Sequence, residues 1–133
     1  MRKTLILILV MFSVPCFAQK QTVHIMRILP EDIVQDSIQL VRVSTNSFAV
    51  RWTYTEAGAQ QMLAFQEAHD GQEVCTVVGS FESQHHQTMF HPMPPHSTTY
   101  AQWKEGWLKH RRDKFFGVSE EDAKKIVDGL KKK

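Results

Sequence analysis

Six side chains able to bind a soft or borderline metal lie within twelve residues: His85, His86, Met89, His91, Met93 and His96. Imidazole accepts either copper state or zinc, and thioether sulfur favours Cu(I), so the combination points to copper. Pro92, Pro94 and Pro95 restrict the same stretch and lower the entropy lost on closing round an ion. Each imidazole must be neutral to ligate, so binding of this kind is expected to depend on pH. The spacing follows no defined metal motif, and a solvated histidine-rich loop satisfies it equally well.

Other reactive groups are sparse. Cys75 sits inside the apolar run 74–78, where it reads as a small buried hydrophobe. An activated thiolate needs a nearby cation or a helix N-terminus, and a strand interior supplies neither. Glu56, Glu67, Asp70 and the seven histidines offer acid and base groups. They stand in no Ser/His/Asp order, nucleophile elbow or paired-carboxylate pattern, so a non-enzymatic protein is expected.

The elements that must carry these groups follow from periodicity. Residues 22–29 read as a first strand, and 38–44 with 48–54 as a hairpin turning at Thr45, Asn46 and Ser47. In the second arm Phe48, Val50, Trp52 and Tyr54 share one face, which needs cover. Thr55 caps a helix to about residue 69, with Ala59, Met62 and Leu63 at helical spacing and Asp70-Gly71 as its stop. This helix is expected to supply the cover. Gly58 in its first turn suggests a close backbone approach. Residues 73–81 read as a valine-rich strand, and 82–99 as a loop rich in His, Met and Pro. A helix is predicted from Thr99 to Lys114, with Tyr100, Trp103, Trp107 and Leu108 on one side. The segment 103–116 has the composition of a membrane-surface helix, although core packing accounts better for its indoles. A last helix begins at Ser119, with Ala123, Ile126, Val127 and Leu130 as its stripe. The sum is an α+β fold, a small mostly antiparallel sheet covered by helices in a two-layer sandwich.

Arg2 and Lys3 followed by the apolar run 5–12 and the small residue Ala18 form a signal-peptide pattern, with cleavage expected after Ala18. The apolar stretch is shorter than the ~20 residues of a membrane span. Pro15 before Cys16 does not suit lipid attachment. Residues 19–133 would then be one domain in the periplasm or outside the cell, with 14 basic and 14 acidic groups. Cys75 would be its single cysteine, which excludes an internal disulfide. The neutral balance points away from nucleic acid.

Residues 50–62, Val-Arg-Trp-Thr-Tyr-Thr-Glu-Ala-Gly-Ala-Gln-Gln-Met, and 69–78, His-Asp-Gly-Gln-Glu-Val-Cys-Thr-Val-Val, resemble the head subdomain of the first periplasmic domain of SecD-type protein-export subunits. In that family a strand leads into Thr-x-x-Gly-Ala, a short helix, a glycine turn and a valine-rich strand. Gly117 and the run Ser119-Glu120-Glu121-Asp122-Ala123 are similar to its later glycine and Ser/Thr-Glu-Glu-x-Ala helix. Residues 82–114 have no counterpart there, nor does the chain carry the family's membrane helices. The resemblance therefore implies an isolated head fold that holds extended polypeptide on a sheet edge or groove, with an envelope protein or unfolded chain as partner. Proton-driven transport is not implied.

Overall fold

The computed structural model describes residues 22–87 and 99–133. Residues 1–18, read as a leader, and Met89, His91, Met93 and His96 lie outside the described residues. Among the described residues seven strands and three α-helices make an α+β fold in which the strands divide between two sheets.

In the first sheet β4 (Glu73–Val78) is central, and its Val74 to Val78 are all buried. Strand β1 (His24–Arg27) runs parallel to it, with His24 opposite Val74 and Met26 opposite Thr76. Its inward face is that of Met26 and Ile28, while Ile25 is exposed. The predicted strand 73–81 is interrupted at Gly79-Ser80, where the chain turns back as β5 (Phe81–Glu82). Part of the predicted loop is also ordered, since β6 (His86–Gln87) pairs antiparallel with the start of β4.

The second sheet is antiparallel, in the order β2 (Gln39–Ser44), β3 (Ser47–Thr53), β7 (Arg112–Val118). Strand β7 replaces the C-terminal part of the helix predicted to reach Lys114. Helix α2 (Tyr100–His110) opens on the expected Thr99–Gln102 capping box but stops at Arg111, which is left-handed at φ 53°. From there Asp113 and Phe115 alternate with Arg112, Lys114 and Phe116, a period of two that pairs with β3. Pairing with β3 overrides the local helical pattern, because β3 would otherwise keep a row of backbone groups unbonded.

Phe48, Val50, Trp52 and Tyr54 point together into the core, as their alternation predicts. The helix lying across β3 is α3 (Glu120–Leu130), which also touches β4 and β5 and buries Ala123, Ile126 and Leu130. This corrects the assignment of that cover to the first helix, α1 (Glu56–Ala68). Helix α1 contributes Ala59 and Met62 to the core but packs chiefly on α2 and on the turn at Pro30–Asp32. Thr55 caps it by accepting from Gly58 N–H at 3.1 Å. A Cβ on Gly58 would lie 2.6 Å from the Asp32 carbonyl oxygen, the close approach that its position suggests. Gly129 allows the same intimacy for α3, whose backbone there rests on Val78 and Gly79. Gln35 then fastens the C-terminal end of α3, donating to the Leu130 carbonyl at 2.9 Å and accepting from Lys132 N–H at 2.9 Å. The Leu130 carbonyl would otherwise be an orphan of the helix end.

Candidate functional site

The two described members of the His/Met cluster flank the start of β4. His86, on β6, stands opposite Val74, and His85 has Nδ1 3.5 Å from Glu73 Oε1. Both are exposed. The parallel register brings a third imidazole to this end, because His24 stands opposite Val74 from the other side. Sequence spacing could not have placed it there. Its ring centroid is 4.2 Å from that of His69, which also packs on Phe65 and has Nδ1 2.8 Å from Gln72 Oε1. His24, Glu73, His85 and His86 line one cleft of about 620 Å³. Among the described residues no three His, Cys, Asp or Glu side chains are arranged to hold a metal ion.

Cys75 is buried and free, as expected, with its thiol donating to the Ser83 carbonyl at 3.3 Å. A more demanding polar arrangement lies at the end of the core. Tyr54 Oη donates to Asp113 Oδ2 at 2.9 Å, and Lys114 N–H donates to Asp113 Oδ1 at 2.8 Å. Burial pushes the Asp113 carboxyl above its ordinary value, against the opposing pull of these two donors. The Tyr54 phenol is also pushed well up, first by burial and then by the neighbouring carboxylate. The Trp52 indole N–H lies near enough to Tyr54 to oppose that rise slightly, yet it is buried without a bond of proper hydrogen-bond geometry. Trp107 covers this corner, 5.8 Å from the Tyr54 ring, and donates from Nε1 to the Ala59 carbonyl at 3.3 Å. The arrangement fastens β7 to Tyr54, the residue that follows β3.

The outermost strand of the second sheet is the region that sequence reading passed over. All six residues of β2 are exposed, including Leu40, Val41 and Val43. Among the described residues no strand pairs with its free side. Such an edge presents unpaired N–H and C=O groups to any extended chain, and most proteins protect theirs with lysine, proline or extreme shortness. Strand β2 has neither Lys nor Pro and runs for six residues, with an irregularity only between Arg42 and Ser44. The hairpin was legible; that its first arm stays uncovered is a property of strand order, for which the sequence carries no local signal.

The sheet's outer face adds a chemical character to that edge. Val41, Ala49 and Phe116 form one cross-strand row, and Phe116 is 61% exposed. Gln39, Arg51 and Lys114 form the next row, and Thr53 with Arg112 the one beyond. No helix of the described residues is long and apolar enough to cross a membrane. No family model, curated protein or solved structure matches the chain.

Proposed function

We propose that this chain is an exported, non-enzymatic binding domain that holds an extended segment of another polypeptide as an added strand along β2. The observation that carries the reading is the full exposure of β2, an edge with three apolar side chains and no proline or lysine, whose single charge, Arg42, and single irregularity lie toward its hairpin end and leave residues 39–41 in regular register. Strand addition obtains affinity from main-chain hydrogen bonds and selectivity from alternate side chains, so it needs no deep pocket. The likeness of residues 50–62 and 69–78 to the SecD head supports the same reading. So does the leader-like pattern at 1–18, which would deliver the domain to an envelope compartment or beyond it. Amide hydrogen exchange in the presence of seven-residue peptides with alternating valine and threonine tests it directly. Protection gained within residues 39–44 is the expected result. Protection gained elsewhere, or none at saturating peptide, refutes it.

A second reading, copper binding, is favoured by the register that places His24 in the cleft of His85 and His86. Here the metal would be held by imidazoles of that cleft together with the thioethers and imidazoles of Met89, His91, Met93 and His96. Titration with Cu(I), Cu(II) and Zn(II) separates the readings. Changing His24, His85, His86, His91 and His96 to Ala lowers metal affinity only if the cluster binds, and leaves peptide binding at β2 unchanged.

A further inference from the structure

Arg51 on β3 and Lys114 on β7 stand directly opposite each other on the outer face of the second sheet. Like charges in that position destabilise a strand pair. Arg112 lies two residues along from Lys114, on the same face. Asp113, between them in sequence, turns to the other face and is engaged by Tyr54. The ion pairs of the described residues, which join His85 to Glu73, Lys104 to Glu67, Lys124 to Glu120 and Lys125 to Glu121, include none of these three cations. With Gln39, Thr53 and the single carboxylate Asp113 they line an open cleft of about 690 Å³ that begins at the free edge, where Gln39 is the first residue of β2. Lys114 rests on the Phe116 ring, its Nζ 5.8 Å from the centroid, but among the described residues no carboxylate forms an ion pair with any of the three, so the free protein carries an excess of positive charge beside its open edge. Such a local conflict is expected where a ligand resolves it.

We infer that the segment held by β2 is acidic, presenting an apolar residue beside Val41 and a carboxylate beside Gln39 that reaches Arg51. The inference rests on the edge-addition reading and names its ligand. Neighbouring strands are about 4.8 Å apart, so a guest residue beside Gln39 has its backbone about 10 Å from that of Arg51. An arginine and a glutamate side chain together span that gap. The adjoining row Val41, Ala49 and Phe116 offers apolar cover to the guest residue two positions along. A second copy of this chain is the poorer occupant, because its own Arg51, Lys114 and Arg112 would gather on the same face.

Three labelled peptides test the assignment: Thr-Glu-Thr-Val-Thr-Glu-Thr and its counterparts with Gln or Lys in place of both Glu. Their symmetry makes the result independent of strand direction. By fluorescence anisotropy in low salt the Glu peptide should bind about fivefold more tightly than the Gln peptide, the upper range for an exposed ion pair, and the Lys peptide most weakly. The preference should shrink as salt is added. Arg51→Glu, with Lys114→Glu as a second reversal, should invert the order of the peptides. It should also raise the thermal midpoint of the free protein by replacing the opposed cations with an ion pair. Equal affinity for all three peptides overturns the acidic assignment while leaving edge addition standing. Failure of every peptide to bind overturns both.

Discussion

Strands β2 and β3 are the two arms of one hairpin, and both are rich in apolar residues, yet their fates are opposite. Every inward side chain of β3 is buried, and Ala49 is buried even on the outer face. Every residue of β2 is exposed. The difference does not lie in hydrophobicity. Among the described residues β3 has a neighbour on each side and α3 laid across it, whereas β2 has one neighbour and no extensive contact with a helix. Leu40, in register with buried Val50, overhangs the margin of the core, and Arg42 places its guanidinium 5.7 Å from the Phe48 ring as a partial screen. The contrast teaches that apolar content decides which residues favour cover, while strand order decides which receive it. What is left over is an edge with open backbone groups.

The sharpest way to break this comparison is to truncate one residue from each arm. Trp52→Ala should cost about 3–5 kcal/mol, the range for emptying a packed aromatic site. Leu40→Ala should stay within about 1 kcal/mol, because its side chain already meets water. Urea denaturation of the two variants measures both. Comparable losses would mean that β2 is covered in solution and that the open edge does not exist. Next in size is Tyr54→Phe, which removes a donor from a buried carboxylate and should cost about 1–3 kcal/mol. Combined with Asp113→Asn, its effect should be less than additive, since the two groups share one bond. Strict additivity would show that they act independently. Gln35→Ala should cost less again, about 1 kcal/mol, by releasing the carbonyl of Leu130 at the end of α3.

The parts of this fold legible in the sequence are those whose signals are local. The alternation from Phe48 to Tyr54, the Thr55 and Thr99 caps and the stripe from Ala123 to Leu130 each lie within one element, and all stand in the structure. At Ser119 the hydroxyl half of the cap forms, accepting from Asp122 N–H. Apart from the turn at Gly79-Ser80, which splits the predicted strand 73–81, the misreadings concern long-range packing and pairing. Residues 112–114 look like the end of a basic helix until β3 claims 112–118 as a strand, and β1 finds a parallel partner fifty residues away. The chemistry divides in the same manner. His85 and His86 were visible as a pair, but His24 joins them only through the register of β1 on β4. The opposed cations Arg51 and Lys114 are 63 positions apart and become neighbours only once β7 exists.

The smallest effect, and the one that probes the inner row most finely, is the pH dependence carried by Asp113. Its folded carboxyl is raised above the ordinary 3.8 because desolvation outweighs the donors from Lys114 and Tyr54. The folded protein therefore holds this proton to higher pH than the unfolded chain does. The contribution to stability is complete below the ordinary carboxylate value and is lost as pH rises through the raised one. Urea midpoints of the wild type should accordingly fall relative to Asp113→Asn across that window and run parallel above it. Asparagine can keep the Lys114 N–H bond on its carbonyl oxygen and donate from its amide nitrogen to Tyr54 Oη, while having no proton to lose. Strand β2 contains no carboxylate, so substitutions along it should leave this profile untouched. A wild-type advantage that grows with pH would mean the opposite balance. The charged carboxylate would then be held more favourably in the folded protein than in the unfolded chain, with the donors from Tyr54 and Lys114 outweighing desolvation at the corner between β3 and β7.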